Sequence, residues 1–279
     1  MTSYTVVTTF HQSGYDLYGK RMIESFLKNW PASVRLYVYA EQCVVAESAP
    51  NLNVFNLEDA SPELVAFKQQ WMNVPKANGD VSADPVRSKR KDSGKGFKWD
   101  AVRFSHKVYS IFHAAKNTDS DYLIWMDADM VCHSPVTQEN IDSLIDGGGD
   151  LYYLGRRGKF SECGLYAINL RSGRAQNFLQ LFQQYYDDAE NGIFKLPEWH
   201  DSYVFGDILK KLGSVDKNFL DYTAGIVNRT ASTGGGGHPL INSVLGKYFD
   251  HMKGARKKQG KSQKKDLVTP REESYWNEV

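Results

Sequence analysis

The feature that most restricts the fold is a short apolar run ending in two carboxylates: Tyr122-Leu-Ile-Trp-Met126, then Asp127-Ala-Asp129. Five large apolar residues followed by polar ones read as a buried strand, which needs packed layers on either side of it. The flanking sequence supplies both strands and helices. Tyr4 to Phe10 is a β-branched run. Tyr18, Met22, Ile23, Phe26 and Leu27 then recur at helical spacing until Trp30-Pro31. Val34, Leu36 and Val38 alternate with Arg35, Tyr37 and Tyr39, as in a second strand. After an irregular stretch, Ala101, Phe104, Val108, Ile111, Phe112 and Ala115 form the apolar stripe of a helix just ahead of the central run. This order predicts an α/β fold with parallel pairing. Beyond it, Leu151–Leu154 and Leu165–Leu170 read as strands, Phe178, Leu181, Phe182 and Tyr185 as a buried helix face, and 200–212 as a last helix. With 279 residues, no repeat and no linker, we expect a single domain over 1–258 and a basic, polar extension over 259–279.

Charge narrows the function less than it first promises. Thirty-four Lys and Arg face 33 Asp and Glu, a net charge of +1, so any attraction for polyanions must be local. Two stretches carry it. Asn73–Lys98 has seven basic residues and three acids, and reads as a mobile basic loop over 73–98. Lys247–Lys265 has eight basic residues and one acid, after a four-glycine run at Gly234–Gly237. For any single lysine in them, solvated surface is the ordinary reading. A mean hydropathy of -0.50 and the lack of a long apolar run predict no membrane span. Met1-Thr-Ser-Tyr-Thr5 shows no leader pattern, and Cys43, Cys132 and Cys163 form no CxxC pair, so a cytoplasmic location is expected.

Asp127 and Asp129 stand at the carboxyl end of the central strand, where open α/β sheets bind ligands. Strand alternation would point both to one side, with Ala128 opposite. Two carboxylates so placed repel and resist desolvation, and a divalent cation such as Mg²⁺ or Mn²⁺ is the usual remedy. The spacing alone says little: Asp119 and Asp121 share it, but they sit in a polar turn ahead of the strand.

Trp125-Met-Asp-Ala-Asp-Met130 resembles the D-x-D element of GT-A-fold, Rossmann-like glycosyltransferases, which bind a nucleotide-sugar diphosphate through a divalent metal. Thr5-Val-Val-Thr-Thr-Phe10 is similar to that family's first strand, Cys163–Leu170 resembles its (N/S)-x-G-x-x-x-x-N element, and His251-Met-Lys-Gly254 its late H-x-x-G element. The ordered set is most similar to the glycogenin-like and lipopolysaccharide galactosyltransferase group. It departs from that group after His251, where Ala255-Arg-Lys-Lys258 replaces the usual K-P-W. The resemblance implies a GT-A domain with a mixed, mostly parallel sheet. It implies Mn²⁺ or Mg²⁺ on Asp127, Asp129 and His251, and a donor, most simply a UDP-sugar, on Thr8, Thr9, Phe10, Arg103, Lys107, Lys253 and Gly254. It places Asp201 beside the acceptor or the transferred sugar. Apart from the resemblance, Arg103, Lys107 and Ser110 would make a solvated helix face, Asp201 an N-cap, Trp199 core or a sugar platform, and His238 a turn residue.

The function expected is transfer of a hexosyl or pentosyl group from a nucleotide-diphosphate sugar to a hydroxyl; the group it resembles retains anomeric configuration, whereas Asp201 acting as a general base opposite the leaving group would invert it. The acceptor expected is a glycan or a modified base in DNA, met by the basic stretches. Two alternatives stay open: a nucleotidyltransferase making a nucleotide sugar, though His11-Gln-Ser-Gly14 is a poor match for its Gly-rich basic loop, and a non-catalytic polyanion-binding module.

Overall fold

The computed structural model of the chain describes residues 1–145, 149–155, 160–213, 219–221, 238–268 and 270–277, so the 234–237 glycine run lies outside the described residues. In chain order the strands are β1 (Tyr4–His11), β2 (Arg35–Glu41), β3 (Leu52–Asn56), β4 (Tyr122–Met126), β5 (Met130–Cys132), β6 (Leu151–Leu154), β7 (Glu162–Asn169), β8 (Phe219–Asp221) and β9 (Phe249–His251). Seven of them form one sheet in the order β3-β2-β1-β4-β7-β6-β8. The run β3-β2-β1-β4 is parallel, β7 is antiparallel to both β4 and β6, and β8 is parallel to β6. This is an α/β fold with a mixed, mostly parallel central sheet, compatible with a Rossmann-like arrangement.

The helices of ten or more residues among the described residues are α1 (Lys20–Asn29), α2 (Pro62–Trp71), α3 (Ala101–Asn117), α4 (Gly173–Asp187) and α5 (Asp201–Lys211). Side chains alternate across each strand, so each face of the sheet builds its own core. Val7, Leu123, Trp125 and Tyr166 pack with α2 to α5, while Val6, Ile124, Met126 and Leu165 pack with Met22, Ile23 and Phe26 of α1. Because both faces are covered, β4 is apolar at all five positions, which is why its sequence shows no alternation. No helix among the described residues is long and apolar enough to cross a membrane.

The irregular stretch between the second strand and α3 holds β3 and α2. Strand β3 lies at the sheet edge with Asn53 and Val54 exposed, so it carries no apolar alternation to read. Ser61 caps α2 and Asp100 caps α3, each cap contributing about 1 kcal/mol.

The basic segment at 73–98 is stitched down at several points. Arg87 pairs with Asp84, Arg90 with Asp92 and Glu198, and Lys98 with Asp92 and Glu198. The neighbouring Trp99 is fully buried and donates its indole N–H to the Pro197 carbonyl at 3.0 Å. Lys76, Lys89, Lys91 and Lys95 are exposed. The C-terminal segment folds back on the domain: Trp276 is buried, its indole N–H donates to the Gly246 carbonyl at 2.9 Å, and Tyr275 stacks on His133 at 4.1 Å.

Candidate functional site

Strand β4 ends at Met126, and Asp127–Met130 closes a turn in which the Met130 N–H donates to the Asp127 carbonyl at 3.0 Å. The two aspartates therefore do not project by strand alternation, as their spacing predicts. They are brought together by the turn and by the ribbon that follows it. In that ribbon β5 pairs antiparallel with β9, setting Met130 opposite His251, and the Met252 N–H donates to the Asp129 carbonyl at 2.9 Å. His251 Nε2 then lies 3.1 Å from Asp129 Oδ1 and 3.6 Å from Asp127 Oδ2. The Asp127 side chain is 30 % exposed, Asp129 8 % and His251 1 %, so the group opens outward through Asp127.

Strand β7 completes the floor. The Asp127 N–H donates to the Gly164 carbonyl at 2.8 Å, which carries the β4–β7 register one step past Met126. Gly164 is where the His251 ring lies: a Cβ added there would sit 2.4 Å from its Cε1 and 2.6 Å from its Nδ1. His251 is fully buried, and its Nδ1 has no hydrogen-bond partner. Two carboxylates and an imidazole nitrogen, with ligand atoms within 4.8 Å of one another, form a donor set that fits a divalent cation.

Cations surround this acidic centre. Lys107 projects from α3 and is buried. Its ammonium donates to Asp201 Oδ2 at 2.7 Å, to Asp127 Oδ1 at 3.2 Å and to the Cys163 carbonyl at 2.5 Å, and it lies 4.6 Å from the Trp125 ring centre. Burial pulls the Lys107 ammonium down, but Asp127 and Asp201 outweigh it and hold the group well above the usual lysine range. Lys257 reaches Asp129 Oδ2 at 3.0 Å, and Lys253 reaches both Glu162 oxygens at 3.0 and 3.1 Å. Arg103 is exposed one turn before Lys107, whereas Ser110 is buried and bonded to the His106 carbonyl.

Burial pushes the Asp127 carboxyl up despite Lys107 and His251, while His251 and Lys257 overcome the same burial at Asp129 and hold it down. Asp201 is the first residue of α5; the cap is His200, whose Nδ1 accepts from the Tyr203 N–H at 3.3 Å. Burial would raise the Asp201 carboxyl, but Lys107 keeps it below the usual range. Trp199 is core, its indole N–H bonded to the Leu196 carbonyl.

At the end of β1, Thr8 is buried, the Thr9 hydroxyl donates to the Tyr39 carbonyl at 2.7 Å, and Phe10 packs against Tyr15. Past them, His11, Gln12 and Ser13 are exposed, ahead of a π-helical turn at Tyr15–Gly19. Gly254, with φ +67°, gives the turn after His251 a backbone conformation that side chains rarely adopt.

Glu162 and His238 join the site without having been singled out for it. Glu162 Oε1 is 3.8 Å from His251 Nδ1, Glu162 Oε2 is 3.9 Å from His238 Nε2, and the two imidazole rings lie 4.8 Å apart. Burial holds His238 down at about 3, so it is neutral. The sequence held one pointer to Glu162: it begins the strand segment that leads into Gly164. Compared with known family models and with curated proteins, the chain matches none.

Proposed function

We propose that the chain is a metal-dependent glycosyltransferase of the GT-A type that moves a hexosyl or pentosyl group from a nucleotide-diphosphate sugar, most simply a UDP-sugar, to an acceptor hydroxyl. The observation that carries this reading is the convergence of Asp127, Asp129 and His251 Nε2 at the carboxyl end of the central strand, ringed by Lys107, Lys253 and Lys257. Asp127, Asp129 and His251 would hold Mn²⁺ or Mg²⁺, which supplies positive charge to a departing diphosphate, a contribution on the order of several kcal/mol. Lys257 and Lys253, on the turn around Gly254, stand where they can add to that charge, and exposed Arg103 can reach donor oxygens without breaking an existing ion pair. With Thr8, Thr9 and Phe10 committed to the fold, nucleotide contact at the end of β1 falls to its backbone and to His11, Gln12 and Ser13.

Asp201 has a narrower role in this reading. Held ionised by Lys107, it is a poor proton acceptor and a good fixed negative charge. It would brace a sugar as positive charge develops at the anomeric carbon, which agrees with retention better than with a general base opposite the leaving group. The exposed lysines at 76, 89, 91 and 95 offer an anionic acceptor, a glycan or DNA, fewer free cations than the composition suggested.

A thermal-shift panel of nucleotide sugars with and without Mn²⁺ tests the reading. A donor at 100 times its Kd adds about 2.7 kcal/mol of stability, which should appear only with the metal. Asp127→Ala and Asp129→Ala should each lower nucleoside diphosphate release by ~10²–10³-fold. Full release by both variants, or by the wild type in excess chelator, sinks the proposal.

A further inference from the structure

We infer that Glu162 is a positioning residue: its carboxylate fixes His251 with a ring proton on Nδ1, so that Nε2 is left to offer its lone pair to a cation held by the Asp127 and Asp129 carboxylates. This rests on the cation site proposed above but not on the reaction catalysed there.

The ring is pinned over Gly164, where no side chain fits, so its two nitrogens face opposite ways. Nε2 faces Asp129 and Asp127 at 3.1 and 3.6 Å, and Nδ1 faces Glu162 Oε1 at 3.8 Å. Nδ1 is buried without a hydrogen bond, and a buried N–H of that kind costs free energy until it finds an acceptor. Closing a gap of less than 1 Å to Glu162 supplies one. A histidine that ligates a metal through one nitrogen commonly donates from the other to a carboxylate, which orients the ring and raises its basicity.

His238 decides against the competing assignment, in which Glu162, His238 and His251 would hold a second cation. These three also bring ligand atoms within 4.8 Å of one another. However, the Leu240 N–H donates to His238 Nδ1 at 3.3 Å. With Nδ1 accepting, His238 carries its proton on Nε2, the nitrogen that faces Glu162 Oε2 at 3.9 Å. Two ring N–H groups, with the Lys253 ammonium, converge on one carboxylate. With these ring nitrogens protonated, neither imidazole has a lone pair to offer a second cation beside Glu162. Glu162 also stands where the (N/S)-x-G pattern has a neutral residue, so the positioning charge is a departure of this chain from that pattern.

Two measurements on the full chain decide the matter. Long-range ¹⁵N–¹H NMR of the imidazoles in Mg²⁺-loaded protein should show His251 with its proton on Nδ1 and His238 with its proton on Nε2. A His251 proton on Nε2 in the Mg²⁺-loaded protein overturns the inference without any variant. In Glu162→Gln, similar in size and uncharged, the Mn²⁺ Kd should rise about 10–100-fold, with one equivalent still bound. An unchanged Kd overturns the inference, as does a second wild-type equivalent that His238→Gln removes. Asp129→Asn separates the two proposals: if it leaves Mn²⁺ binding intact, the cation site itself fails.

Discussion

Replacing Lys107 by methionine should cost the metal-free protein about 3–5 kcal/mol. The side chain keeps its length and apolar stem, so the change removes little but the charge. Its ammonium lies 2.7 Å from Asp201 and 3.2 Å from Asp127. At an effective dielectric of about 20, each attraction is worth about 5–6 kcal/mol before desolvation is subtracted. Desolvation consumes much of that in the wild type. The variant keeps two carboxylates without the ammonium they share, Asp201 buried and Asp127 partly so, and that stranded charge sets the expected loss. At roughly 2 °C per kcal/mol for a chain of this size, melting followed by circular dichroism in chelator should fall by roughly 6–10 °C. Saturating Mn²⁺ should return part of the loss, because a cation beside Asp127 does some of what the ammonium did. Asp201→Asn in the same background should return another part by removing one stranded charge. A drop below about 2 °C in chelator, or a loss indifferent to both Mn²⁺ and Asp201→Asn, would refute the reasoning.

Gly164→Ala should displace the His251 ring, because the added carbon would lie 2.4 Å from Cε1. The expected result is at least a tenfold rise in the Mn²⁺ Kd by calorimetry, with about 1–3 kcal/mol of lost stability; unchanged affinity would mean that the ring moves freely. Away from the site, His106 and Lys68 outweigh burial at Glu41 and hold its carboxyl down at about 2, against 4.5 ordinarily. A depressed carboxyl stabilises the fold fully above the ordinary value and loses that contribution as pH falls toward the depressed one. Glu41→Gln should therefore cost on the order of 1–3 kcal/mol at pH 7, a deficit that closes between about pH 4.5 and 2. A deficit independent of pH would point to packing instead.

The part of the fold that could be read in the sequence was the part written in consecutive residues. The apolar run Tyr122–Met126 announced a strand covered on both faces, and it is one. Helix α2 was also legible in principle, since Leu64, Phe67 and Trp71 are its buried positions at helical spacing. Strand β3 was not, because a sheet edge asks little of its side chains. At the site, Asp127, Asp129 and His251 were marked by their resemblance to known motifs, and the structure brings them together. How the aspartates meet was misread, because alternation holds only while the strand continues and this one turns after Met126. The pairing of Lys107 with Asp201 could not be read, because helical periodicity says nothing about a carboxylate 94 positions away. Glu162 and His238 escaped for the same reason. Their role comes from the register of β7 and from a loop that returns beside it, neither of which leaves a local pattern.

The pairing of β5 with β9 joins Met130 to His251 across more than a hundred residues. On the ribosome, the strands up to β4 emerge well before the segment that carries His251. At about 5–20 residues per second, the delay between Met130 and His251 is roughly 6–24 s. A nascent chain thus exposes its acidic turn for many seconds before the imidazole that completes it has been made. A chain truncated before β9 would keep most of the sheet's strands and lack the ribbon that sets His251 beside the two aspartates.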